Sequence, residues 1–444
     1  MEQGERANAI LHVFDWTYRE VAEYASEIRS LGYRSVMVSP PLKSMKSDRG
    51  KYWWQRYQPQ DYRVIDNPLG NTLDFKAMMA ELHRHDIWVY VDVVFNHMAN
   101  ESDIRSDLQF PSDADIQEYH SYPELYSELR LFGDLSVPLF TERDFIEPFG
   151  IVDWQDQWEV QNGRISSGPA DPGLPTLSDN SHVIEQQRLY LKAMKEMGVR
   201  GFRIDAAKHI SLSHLEKVWT PDITEGMHIF GEIITDGGAT RQEYEVFLKP
   251  YLEKTQLAAY DFPLFNTLFN ALGDKGSFES LVNPYALGQA LSNPRAVTFA
   301  TTHDIPNNRV FEDLVMSESN EWLAYAYILG RDGGVPLIYA EPPERTFSEK
   351  ENISRWAENW RSQKMKSLLE FHNLTYGHQM KVEFVDKDVI IISREKLGLI
   401  ALNKGKNIKS VDELLVSNTS IDYDFKCISE SLEIKPNSYV IVYL

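Results

Sequence analysis

Apolar positions along the chain fall into two rhythms. Short, β-branched runs occupy residues 9–14, 35–39, 88–95, 199–205, 228–234, 257–261, 296–301 and 335–339. Between them lie segments whose apolar residues recur at helical spacing, as Ile184, Leu191, Met194 and Met197 do in the stretch from Ile184 to Met197. Val21 to Leu31, Phe75 to His85 (with Met78 and Met79 as core) and Glu321 to Leu329 read the same way. Strands alternating with helices predict parallel βα units, and eight of them predict an α/β fold closed as a (β/α)8 TIM barrel. An open doubly wound sheet would call for a glycine-rich phosphate loop after the first strand. Phe14-Asp15-Trp16-Thr17 stands there instead.

The rhythm breaks twice. Residues 98–181 are polar, with scattered Pro, Gly, Asp and Trp and no clear period, which reads as a small domain inserted after strand three. Beyond about Tyr376 the helical pattern gives way to alternating segments at Lys381 to Phe384, Val389 to Ser393, Leu399 to Asn403 and Tyr439 to Leu444, predicting a C-terminal antiparallel β domain. The expected organisation is a barrel from residues 1–97 and 182–376, an inserted domain at 98–181 and a β domain at 377–444.

Composition narrows the options. At 444 residues, 43% hydrophobic and 12% aromatic, the chain can bury a large core. Its 66 acidic residues against 45 basic ones leave a net charge of −21, which repels a phosphate backbone and argues against nucleic acid as a partner. The single cysteine, Cys427, excludes a disulfide framework and a cysteine metal cluster, and reads as a buried, inert thiol. No apolar run is long enough to span a membrane. The N-terminal M-E-Q-G-E-R-A-N lacks a basic region followed by an apolar stretch, so cytoplasm is the simpler reading, with secretion open if a leader has been removed.

In such a barrel, chemistry sits where strands end. Strand three ends with Asp92, Asn96 and His97, strand four with G-F-R-I-D-A-A-K-H (201–209), strand five with Glu232, and strand seven with His303-Asp304. Period two puts Arg203 and Asp205 on one face and Phe202 and Ile204 on the other. The apolar pair then packs outward and the charged pair faces the barrel axis, where the arginine is expected to lower the aspartate pKa by roughly 1–3 units. Carboxylates at three strand ends suit glycoside hydrolysis, with one as nucleophile and one as general acid, roughly 5–5.5 Å apart if configuration is retained. The acid, Glu232, needs a pKa raised by burial and like charge. His97 and His303 can donate hydrogen bonds to sugar hydroxyls.

These four segments resemble the four signature regions of the α-amylase family, glycoside hydrolase family 13. The similarity extends upstream to I-L-H-V-F-D-W near the start and Y-W-W-Q-R-Y-Q-P at 52–59, both closer to animal and Bacillus α-amylases than to oligo-1,6-glucosidases. The resemblance implies Asp205 as nucleophile, Glu232 as acid/base and Asp304 as transition-state stabiliser. It further implies that Arg203, His97, His303 and Tyr57 line one sugar subsite, with Trp53, Trp54 and Gln58 beside it, and that Lys208 and His209 contact sugar on the leaving-group side. Asp92 would orient the site.

The resemblance also implies a structural calcium between barrel and insert, held by the Asn96 side chain and the His209 carbonyl. The usual aspartate of the insert's closing motif is replaced, since this chain reads L-P-T-L with Thr176 in its place. Calcium prefers several carboxylate or carbonyl oxygens, so the site is weakened unless Asp171 or Asp179 substitutes. Thr302 stands where chloride-dependent members carry Asn, so no chloride is expected. The expected partner is an α-glucan polysaccharide or oligosaccharide bound by a monomer that cleaves internal α-1,4 bonds. A 4-α-glucanotransferase or a catalytically silent carbohydrate-binding barrel are the alternatives.

Overall fold

The computed structural model of the chain describes residues 9–46, 50–166, 171–235, 242–343, 354–416 and 432–443. Its strands β1 (Ile10–Val13), β2 (Ser35–Val38), β3 (Trp88–Val93), β4 (Gly201–Ile204), β5 (His228–Gly231), β6 (Ala258–Tyr260), β7 (Ala296–Phe299) and β8 (Val335–Ala340) pair in parallel and in sequence order. β8 returns to pair with β1, closing the barrel. Parallel strands covered by helices are buried on both faces, which is why they appear in the sequence as unbroken apolar runs. One close approach depends on glycine. Gly201 lies opposite Tyr90 of β3, and a Cβ there would fall 2.1 Å from the Tyr90 ring.

The covering helices start at side-chain caps. Asn180 accepts from the Val183 N–H to begin helix Ser181–Glu196, and Asn71 with Asp74 forms a capping box for Thr72–Arg84. The single helix expected over Val21 to Leu31 is two, Tyr18–Glu23 and Ala25–Ser30. They part at Tyr24, whose ring packs edge-on against Trp16 and Trp360.

Between β3 and β4 the chain forms helices Asp113–Ser121, Pro123–Leu129 and Gln157–Asn162, linked by isolated bridges such as His97 to Thr176. A small sheet of Lys43–Ser44, Pro59–Asp61, Asp66–Asn67 and Gly70–Asn71 lies after β2. Its strands are too short for a sequence period to reveal. Asp61 ties this sheet to the insert, accepting from the Arg63 guanidinium and from the Tyr119 hydroxyl at 3.1 Å.

The C-terminal sheet runs β9 (Met380–Val385), β10 (Val389–Arg394), β11 (Gly398–Asn403) and β12 (Ser438–Tyr443), antiparallel and in that order. Alternation divides it: Ile390, Ile392, Ile400 and Leu402 join the barrel core, while Val389, Ile391, Leu399 and Ala401 form a second cluster. Arg394 fastens the sheet to two helix C-termini. Its guanidinium donates to the carbonyls of Gly330 at 3.0 Å, Arg331 at 2.7 Å and Thr375 at 2.6 Å, groups a helix leaves without intrahelical partners. Cys427 and Leu444, the expected end of the last strand, lie outside the described residues.

Candidate active site

Arg203 and Asp205 share one face of β4 and the turn after it, while Phe202 turns away to pack against Trp219, 5.5 Å between rings. The fully buried Arg203 guanidinium holds three carboxylates. It lies 2.5 Å from Asp92 at the end of β3, 3.0 Å from Asp205, and 2.5 Å from Glu232 just beyond β5. Two backbone features fix the geometry. Ala206 takes a left-handed conformation (φ 48°), uncommon for a residue with a Cβ, which turns the chain sharply after Asp205. Its N–H then donates to the second Glu232 oxygen at 3.1 Å. The Tyr57 hydroxyl donates to Asp92 at 2.9 Å.

The electrostatics correct one sequence expectation. Arg203 does pull Asp205 down, but burial, helped by repulsion from Glu232 and Asp92, outweighs it, so Asp205 titrates well above the ordinary carboxylate range. Burial also pushes Asp92 up to about 6, and burial with Glu232 beside it raises Asp304. One guanidinium cannot offset desolvation at Asp92, Asp205 and Asp304 together, so each holds its proton to a higher pH than an ordinary carboxyl. Burial lowers His97 to about 4, leaving the ring neutral near pH 7.

The aromatic wall is more tightly built than the sequence suggested. His303 is sandwiched between Phe14 at 4.5 Å and Tyr57 at 5.2 Å, with its Nε2 3.4 Å from Asp304. Trp53 is half-buried against Phe14 and Tyr57, whereas Trp54 is exposed and stacks face to face on Tyr52 at 5.7 Å. His97 is engaged within the protein, Nε2 with the Tyr57 carbonyl at 2.9 Å and Nδ1 with Asn96 at 3.3 Å. The Gln58 side chain accepts from the Asn100 N–H at 2.9 Å. Lys208 pairs with Glu243 at 2.9 Å, and His209 pairs through Nδ1 with the Val160 carbonyl at 2.9 Å while Trp154 meets its ring edge-on.

Three residues of this neighbourhood were not singled out from the sequence. His12 and Phe14 belong to β1 and its end, and period two from Ile10 would have turned both inward. His12 is fully buried, packs edge-on to His303 at 5.4 Å, and neither of its ring nitrogens finds a partner among the described residues. Glu243 lies outside every strand end and carries no pattern that could have revealed it.

Asn96 and His209 line a cavity of about 240 Å³ between barrel and insert, the place the implied calcium would occupy. The donors there do not fit it. The Thr176 hydroxyl donates to the Gly163 carbonyl at 3.1 Å. Asp171 accepts from Asn100 and from the Gly173 N–H, and Asp179 is exposed and paired with Lys217 at 3.5 Å. Among the described residues no group of three or more His, Cys, Asp or Glu is arranged to hold a metal ion.

A family model described as "Alpha amylase, catalytic domain" matches residues 21–245. An α-amylase of Aeromonas hydrophila is 47% identical over 398 residues, covering 90% of this chain and 84% of its own length. One from Clostridium acetobutylicum is 26% identical over 91% of this chain, which spans 49% of that protein. Among solved structures, a mutant α-amylase I of Eisenia fetida in complex with maltohexaose superposes with a TM-score of 0.70 at 22% identity, over 90% of this chain and 85% of that one. At that identity the likeness shows the fold.

Proposed function

Because the chain belongs to the α-amylase family and is a glycoside hydrolase of that type, we propose that it cleaves internal α-1,4-glucosidic bonds of starch, glycogen or maltodextrins with retention of configuration. The observation that carries this reading is the single Arg203 guanidinium bridging Asp205 and Glu232. Two carboxyls held by one guanidinium suit the roughly 5–5.5 Å separation of a retaining pair.

Asp205 attacks the anomeric carbon as the leaving glycosidic oxygen takes a proton from Glu232. The bond to the leaving chain breaks and a glycosyl ester on Asp205 forms. Glu232, now a carboxylate, removes a proton from water, which displaces Asp205 and releases an α-configured reducing end. Asp304 stabilises the cationic transition state, and Arg203 keeps Asp205 positioned through both steps. Tyr57, stacked on His303, holds Asp92 through its hydroxyl beneath the sugar undergoing attack, and the exposed Trp54, stacked on Tyr52, offers an aromatic face to a neighbouring sugar.

Incubation with maltoheptaose, with products separated by size, tests the reading. Internal hydrolysis yields mid-length maltooligosaccharides from the first minutes. Products longer than the substrate would assign chain transfer instead, and an unchanged substrate would leave a carbohydrate-binding barrel.

A further inference from the structure

Away from the catalytic carboxylates, a groove of about 750 Å³ opens where the C-terminal sheet meets the barrel. One wall is built from helices Glu318–Gly330 and Gln363–Thr375, the other from β12, the edge strand of its sheet. The groove shares no residue with the Arg203 cluster. Its walls are held together by Arg394, which fastens the sheet to the C-terminal ends of both helices. A surface held this way loses little entropy when it binds.

The lining mixes aromatic faces with hydrogen-bonding groups. Trp322 is only 6% exposed, and its indole N–H has no acceptor among the described residues. Such a buried donor costs free energy until an acceptor reaches it. Tyr439 is half-buried, its hydroxyl donating to the Lys364 carbonyl at 3.4 Å, and Tyr443 is 49% exposed with its edge against Phe371. The Lys364 ammonium lies 5.3 Å from the Trp322 ring, and Glu318 and Glu370 bring carboxylates to the same lining. Two anions and one cation, on a chain of net charge −21, discourage phosphate, nucleic acid and acidic peptides. Those same charges discourage a purely apolar partner, which would leave them desolvated. What remains is a neutral ligand with flat apolar faces and many hydroxyls.

We propose that this groove is a second carbohydrate-binding site, holding a stretch of α-glucan chain separately from the stretch being cleaved. The choice of α-glucan rests on the function proposed above. Two sites on one polymer raise the effective concentration of chain at the catalytic cleft. The gain applies to long or particulate substrates and vanishes for oligosaccharides too short to reach both.

The test uses the full chain carrying Tyr439→Ala and Tyr443→Ala together, with Tyr443→Ser alone as a milder change at the more exposed position. Binding to starch granules is read by depletion, turnover is read on maltoheptaose, and mass in solution is read by light scattering. Losing both faces should weaken granule binding about tenfold or more while kcat/KM on maltoheptaose, measured below the variant's melting transition, stays at the wild-type value. Tyr443→Ser should shift binding in the same direction by less. Unchanged granule affinity in both variants overturns the proposal, as does a parallel loss of maltoheptaose turnover. A wild-type dimer that the tyrosine variants dissociate would assign the groove to a second copy of the chain and overturn it equally. Wild-type protein that binds granules through the tyrosines yet leaves maltoheptaose intact retires the hydrolase reading and keeps the site. Cleavage of maltoheptaose with tyrosine-independent granule binding does the reverse.

Discussion

Asp205 sits 3.0 Å from the Arg203 guanidinium and still titrates high, because burial and neighbouring carboxylates oppose the ion pair. The sign of the consequence follows from its role. A nucleophile must be ionised, and a carboxyl whose pKa is raised loses its charge earlier as pH falls. The acid limb of kcat/KM should therefore lie well above pH 3.8, the ordinary aspartate value. A pH–rate profile holding full activity down to about pH 4 would contradict the electrostatics described here. Asp92, raised to about 6 by burial, gives the matching stability effect: its contribution is complete below pH 3.8 and is lost as pH rises through 6. Removing the proposed nucleophile while keeping its shape, as in Asp205→Asn, should lower kcat by roughly 10⁴-fold or more and leave the fold's melting transition in place. Comparable turnover in that variant would move the nucleophile elsewhere. At this scale the sequence exposed Arg203 and Asp205 because alternation along a strand needs no tertiary information. It could not expose Glu243, whose approach to Lys208 depends on a loop path. Nor could it show that Gln58 is taken up by the Asn100 N–H.

Elements were legible in proportion to their length and regularity. All eight barrel strands fall on the apolar runs read from the sequence, since burial on both faces leaves an unbroken signal. The small sheet after β2 left none, because strands of two or three residues have no period. The junction of β3 with the insert depended on one residue type, Thr176 in place of aspartate. There the chain uses a backbone bridge from His97 to Thr176 and the Thr176 hydroxyl on the Gly163 carbonyl, a pairing of neutral groups. Chelator treatment should accordingly leave the melting temperature within about 1 °C, the shift that losing ~1 kcal/mol gives in a chain of this size. A drop of many degrees, restored by calcium, would show that the junction is held by metal.

Over the whole molecule, the barrel positions the carboxylates, the insert packs at its junction with β3, and Arg394 fastens the C-terminal sheet to the barrel helices. This division explains why the fold could be read from patterning while the groove at the sheet's edge could not. The groove is made by surfaces far apart in sequence, Trp322 and Tyr439 being 117 positions apart. In the proposed mechanism a covalent intermediate on Asp205 is formed and resolved with Glu232. Proton NMR of maltoheptaose cleavage, recorded before mutarotation, tests it most directly. The first new reducing ends are expected to carry the α-anomeric signal and only later equilibrate towards β. A β signal appearing first would mean single displacement by water, and would contradict the mechanism built on Asp205 and Glu232.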